Sequence, residues 1–128
     1  MFFLVEPPQI VITSDNVTVD AGNTVLFACV GYGTPDPDIT WTRGGNQLTN
    51  DTSRITIYEE LVTEGGATFV QSILEICSAG EIDAGQYSCN VANMFGNSSS
   101  NFRLTVNAGG KFTTCIELTV GLLQFRLM

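Results

Sequence analysis

The residues best suited to chemistry are four cysteines, Cys29, Cys77, Cys89 and Cys115, and two carboxylates, Asp36 and Asp38. Thiolates hold zinc when their spacing lets four converge, commonly through C-x-x-C pairs. No such pair is present, and the spacing does not suggest a zinc site. Asp36 and Asp38 are alternate residues, so on an extended stretch they share a face. Solvated loop charge is the plainer reading, because a calcium site needs more convergent oxygens than this stretch supplies. The chain has no histidine. Histidine triads, histidine–zinc sites and near-neutral imidazole switches are excluded. No glycine-rich loop cradles phosphate. No catalytic, metal-binding or cofactor-binding residue is assigned, and the chain is expected to be a non-enzyme with no cofactor.

The cysteines and three asparagines bear on compartment instead. Asn16-Val17-Thr18, Asn50-Asp51-Thr52 and Asn97-Ser98-Ser99 fit the N-glycosylation pattern. Each is common by chance, but all three fall near expected strand ends or loops. With the cysteine spacing they favour an oxidising, extracellular setting, secreted or as a membrane-protein ectodomain. The apolar start, Met1 to Val5, is too short for a signal peptide and lacks a positive region. No stretch approaches the ~20 apolar residues of a spanning helix, so direct membrane insertion is not expected. The sequence reads as a piece of a longer protein or as one domain with a tail.

With 128 residues, 44% of them hydrophobic and 14% charged, the chain can bury a core. Its formal net charge is −8. Such a chain repels phosphate backbones and anionic membrane surfaces, so nucleic acid is not an expected partner.

The elements that must position these residues are strands. The period is two throughout. Ile10 and Ile12, then Val17 and Val19, read as one edge strand broken at Ser14-Asp15-Asn16. Val25, Phe27 and Cys29 form an inward row. Gly31 to Pro37 reads as a loop with two prolines and two glycines. Ile39, Trp41 and Arg43 carry the next strand, turned by Gly44-Gly45-Asn46. Arg54 to Tyr58, Phe69 to Ile76 and Gly85 to Asn93 follow, the last with Tyr87, Cys89 and Val91 on one face. A hairpin at Met94-Phe95-Gly96-Asn97 leads to Phe102, Leu104 and Val106. No segment has the length and period of a helix, though Ala79 to Ile82 fits one helical turn. Parallel sheets need long crossovers, so the expected fold is all-β, two packed antiparallel sheets.

Three runs then carry a resemblance. Gly33-Thr34-Pro35-Asp36-Pro37-Asp38-Ile39-Thr40-Trp41-Thr42-Arg43-Gly44-Gly45 is similar to G-x-P-x-P-x-[IV]-x-W-x-[KR]-x-G. Leu74-x-Ile76-x-x-Ala79 and Asp83-x-Gly85-x-Tyr87-x-Cys89 follow, then Cys89-x-Val91-x-Asn93-x-x-Gly96, with valine where alanine is usual. Together they resemble the immunoglobulin superfamily, and within it the intermediate (I-set) class, over residues 7 to about 107. The resemblance implies a Greek-key β-sandwich and a Cys29–Cys89 bridge closing a loop of about sixty residues. It places the Trp41 ring against that bridge and makes Tyr87 a tyrosine corner bonding back to nearby backbone. It pairs Arg54 with Asp83 at one end of the sandwich, and gives Gly85 backbone angles that a side chain would resist.

Residues 1–6 then form a lead-in, 7–107 the domain and 108–128 a tail. The stretch between Tyr58 and Gln71 is longer than this class usually needs and is acidic through Glu59, Glu60 and Glu64. It reads as a hairpin turned by Gly65-Gly66. Cys77 follows inward Ile76, so alternation points it outward or into the turn. For Cys77 and Cys115 three alternatives stay open: a mutual bridge, free thiols, or a link between two chains. The strand-like run from Lys111 to Val120 reads as an extra edge strand, the start of a truncated second domain, or an altered end. The closing Gly121 to Met128 is hydrophobic, an aggregation liability if exposed.

The resemblance implies a non-catalytic protein–protein interaction module of a multidomain extracellular protein, serving cell adhesion or ligand recognition. Its partners would be a protein ligand or neighbouring immunoglobulin-like domains, with a homodimer through a spare cysteine or the tail as a further route. Candidate contacts are the loop at Gly31 to Asp38, the acidic hairpin, and Met94 and Phe95 at the last hairpin's tip. The alternative is an intracellular scaffold domain of a muscle or cytoskeletal protein.

Overall fold

The computed structural model describes residues 5–50, 54–110 and 115. Among these, nine strands form two sheets. The first sheet has the order β1-β3-β7-β6, from β1 (Glu6–Thr13), β3 (Val25–Thr34), β7 (Ala67–Ile76) and β6 (Ile55–Glu64). The second has the order β2-β9-β8-β4-β5, from β2 (Val17–Asp20), β9 (Gly96–Asn107), β8 (Gly85–Asn93), β4 (Asp38–Arg43) and β5 (Asn46–Gln47). All pairs are antiparallel except β2 with β9. The alternating sequence produces this layering. Phe27, Cys29, Trp41, Leu74, Tyr87, Cys89, Phe102 and Leu104 project into the space between the sheets, where they form one buried cluster. The Phe102 ring lies 4.5 Å from Phe27 and meets Trp41 edge-on at 6.0 Å.

Two strand assignments need correction. Ile10–Ile12 and Val17–Val19 do not form one broken edge strand. β1 pairs with β3 in the first sheet, and β2 pairs with β9 in the second. The Ser14-Asp15-Asn16 break carries the chain across the sandwich, so one strand position serves an edge of each sheet. Gly31 to Pro37 is not all loop. β3 continues to Thr34 because β1 stays paired to it, Gln9 opposite Tyr32 and Glu6 opposite Thr34. Gly31 is needed there for space rather than for turning, since a Cβ would stand 2.7 Å from Val91 Cγ1.

The sandwich has two ends. At the base, the chain between β7 and β8 makes a short 3-10 turn at Glu81–Asp83. At the tip, β6 and β7 run on as a hairpin, pairing from Ile55–Ile76 to Glu64–Ala67. The Gly65 and Gly66 φ angles of +60° and +83° close it.

Candidate interaction surfaces and the residues that position them

At the base, Asp83 is 1% exposed yet carries a carboxylate, so its partners decide whether the end holds. Its Oδ2 accepts from the Gly80 backbone N–H at 2.9 Å and from the Arg54 guanidinium. Arg43 Nη1 stands 3.7 Å from its other oxygen and donates to the Ile82 carbonyl at 3.1 Å. Arg54 also donates to the Ser78 carbonyl, so two guanidiniums face one buried carboxylate. The Tyr87 hydroxyl donates to the Asp83 carbonyl at 2.5 Å. Burial pushes the Tyr87 phenol up, against the downward pull of Arg43. Gly85, with φ +143°, starts β8 directly after this turn. Arg43 was placed by sequence only on its strand. Its alternation with Trp41 and Ile39 was the available signal for a base-facing guanidinium.

Cys29 and Cys89 are bonded across the core, and Trp41 beside them is fully buried. The Trp41 indole N–H donates to Ser72 Oγ at 2.9 Å, satisfying the ring's one polar atom. Cys77 is bonded to Cys115. It does not point outward; it is 6% exposed, in the turn after β7. All four cysteines are thereby paired within the chain, which removes the covalent route to a homodimer through a spare cysteine. Apart from Cys115, the tail beyond Gly110 lies outside the described residues. That includes the strand-like run from Lys111 and the hydrophobic close. The lead-in before Val5 lies outside them too.

At the tip, Met94 is 79% and Phe95 44% exposed. Their turn is held by Asn93, whose Oδ1 accepts from the Phe95 N–H at 2.8 Å. Asn93 Nδ2 donates to the carbonyls of Glu6 and Pro35, at 2.9 and 3.0 Å. One side chain thus ties the start of β1, the Pro35–Pro37 loop and the hairpin tip together. On the neighbouring acidic hairpin Leu61 is 62% exposed. Desolvation, and then the charge of Asp38, hold the Glu59 carboxyl above its ordinary range. Among the described residues no three metal-ligating side chains converge.

The outer faces of the two sheets differ. On β8 and β9 the outward residues are mostly Ser, Asn and Thr, with Gln86, Ala92 and Arg103 among them, cross-linked by Ser99 Oγ to Asn90 Oδ1 at 2.7 Å and by Ser88 to Asn101. The outward row of the first sheet carries Leu26, Val30, Tyr32, Phe69 and Ile73, with Tyr32 and Phe69 ring centroids 5.4 Å apart. Asn16, Asn50 and Asn97 are all exposed. The Asn16 Oδ1 accepts from the Arg103 N–H and the Asn50 Oδ1 from the Ile57 N–H.

The immunoglobulin I-set domain family matches residues 8–106. The chain belongs to this family. A mouse leucine-rich repeat, immunoglobulin-like domain and transmembrane domain-containing protein is 33% identical over 84% of the chain, which spans 14% of that relative's length. Smooth muscle myosin light chain kinase of chicken is 34% identical over 84% of the chain, which spans 5% of it. A solved complex of titin with an obscurin-like 1 immunoglobulin domain matches 84% of this I-set chain and 100% of the solved chain. Its TM-score is 0.69 and its identity 26%. Immunoglobulin domains are in general non-catalytic folds that bind proteins or one another.

Proposed function

We propose that this I-set domain is an interaction module of a multidomain extracellular protein, serving adhesion or ligand recognition. The observation that carries this reading is the closure of all four thiols into two bridges. Disulfides persist where the surroundings are oxidising and are rare where glutathione keeps thiols reduced. The three exposed sequon asparagines support the same compartment. At Asn16 and Asn50 it is Oδ1 that is engaged, leaving Nδ2, the atom a glycan would join, pointing elsewhere. Contact with the partner falls to the tip, where Met94 and Phe95 and the acidic hairpin present soft, aromatic and charged groups on a held framework.

Similarity to a smooth muscle kinase and to a titin complex favours a second reading, an intracellular scaffold domain. Intact mass separates them. The chain is secreted from a eukaryotic host behind an added leader and weighed without reduction. Glycan-sized increments on a monomer lacking four thiol hydrogens support the extracellular reading. A bare mass with free thiols overturns it in favour of the scaffold.

A further inference from the structure

The outermost strands of the two sheets differ in how far they are closed to further pairing. An edge strand presents a row of unpaired N–H and C=O groups, and natural edges are blunted by shortness, proline, lysine or a bulge. β2 has four residues and β5 two. β1 carries Pro7 and Pro8 and two breaks in its register with β3. β6, the outer strand of the first sheet, has none of these devices. Its ten residues contain no proline or lysine, and they pair with β7 from end to end without a shift.

Two bonds fix which backbone groups of β6 face away from β7. The Arg54 carbonyl, just before the strand, accepts from the Cys77 N–H at 2.9 Å, on the β7 side. The Ile57 N–H donates to Asn50 Oδ1 at 2.5 Å instead. In an antiparallel pair, alternate residues exchange both bonds with the partner strand and the residues between them turn both groups outward. Thr56, Tyr58, Glu60 and Val62 therefore serve the β7 ladder. Glu59, Leu61 and Thr63 direct N–H and C=O to the open edge, and all three are exposed.

Charge selects the occupant. β6 carries Glu59, Glu60 and Glu64 and no cation. Asp38, at the start of β4, adds its negative charge to the surroundings of Glu59. Pairing with the β6 of a second copy would set like charges against one another, which destabilises a ladder. A strand bearing lysine or arginine meets opposite charge at the same positions, and an apolar residue on it meets Leu61, 62% exposed.

We propose, resting on the reading of this domain as an interaction module but not on its compartment, that the β6 edge from Glu59 to Thr63 takes an extended basic segment of a partner protein as an added antiparallel strand. Main-chain bonds to Glu59, Leu61 and Thr63 hold the segment, and the glutamates choose it.

Amide NMR of the full oxidised chain, titrated with the blocked peptide Lys-Thr-Val-Val-Arg-Lys-Thr, tests this. In antiparallel register its cations oppose Glu64, Glu60 and Glu59, and its valines oppose Val62 and Leu61. The expected result is shifted amides at Glu59, Leu61 and Thr63 with slowed hydrogen exchange, and no response to the same peptide with glutamate in place of its cations. Leu61→Pro removes an edge N–H that faces away from β7, so the ladder survives and peptide binding weakens about tenfold. The core amide of Val91 stays protected, which shows that the variant is folded. Glu60→Lys, an exposed change, also weakens binding and serves if Leu61→Pro does not fold. A silent β6 overturns the proposal. Shifts at Met94 and Phe95 alone overturn it while keeping the interaction-module reading, and silence at both places counts against both. Equal binding of the glutamate peptide overturns selection by charge, and unchanged binding in folded Leu61→Pro overturns strand addition.

Discussion

The two ends of the sandwich are built on opposite principles. The base buries a carboxylate between two guanidiniums, caps it with a backbone N–H, seals it with a tyrosine and adds a disulfide. The tip is tied by neutral side chains, Asn93 and Ser98, and leaves Met94 and Leu61 largely in water. Charge that is desolvated must be fully satisfied, and so becomes rigid. Charge and apolar groups left exposed cost little and stay available. A domain with a committed base can vary its tip without unfolding, as loops on a rigid scaffold do.

The core between the ends sets the upper scale for testing this contrast. Trp41→Ala removes a fully buried ring and orphans Ser72 Oγ, and should cost about 3–5 kcal/mol in denaturant unfolding. A loss under about 1 kcal/mol would be a surface-like value and would remove Trp41 from its place. Asp83→Ala should cost about 2–4 kcal/mol, since it strands Arg54, Arg43 and the Gly80 N–H. If it cost no more than a tip variant, the contrast between the ends would collapse. Tyr87→Phe, which deletes the hydroxyl with its bond to the Asp83 carbonyl and its contact with Arg43, should cost about 1 kcal/mol.

The same tyrosine sharpens the contrast through pH. Its folded-state pKa is raised, so its contribution is complete below the unfolded value of about 10. That contribution is lost as pH climbs through the folded pKa. Melting of wild type should therefore fall more steeply above pH 10 than melting of Tyr87→Phe, and parallel curves would contradict this. At the tip, Met94→Ser should shift stability within about 0.5 kcal/mol while weakening partner binding. Glu59→Gln should have the smallest effect, a slight stabilisation at pH 7. A carboxyl whose pKa is raised on folding loses stability as pH rises through that pKa, and solvent screening keeps the term small. The gain should vanish well below the ordinary carboxylate range; a gain that persists there would point to a cause other than charge.

Legibility from sequence differed between the ends for physical reasons. Cys29, Trp41, Tyr87 and Cys89 sit on strands of period two, where alternation alone assigns a face, and the family motifs name their neighbours. The family resemblance also paired Arg54 with Asp83. Arg43's share of Asp83 was not legible, because it depends on how far β4 reaches toward the turn after β7. Of the two places that alternation left for Cys77, outward or into the turn, the structure takes the turn, since the chain leaves the strand after Ile76. The extent of β3 misled through composition. Gly31 and Gly33 look like loop residues but make room for Val91 and for the β1 backbone.

The sequence by itself determined a two-sheet β-sandwich, because alternation, turn glycines and the absence of helical period are local properties that survive without knowledge of the partner strand; the I-set class came from the resemblance of its motifs. Tertiary structure alone decided which edge each half of the first strand joined, which arginines met at Asp83, and that Cys77 is tied to Cys115. Each of these is a choice among partners distant in the chain. Burial and geometry, which no local pattern encodes, select among them.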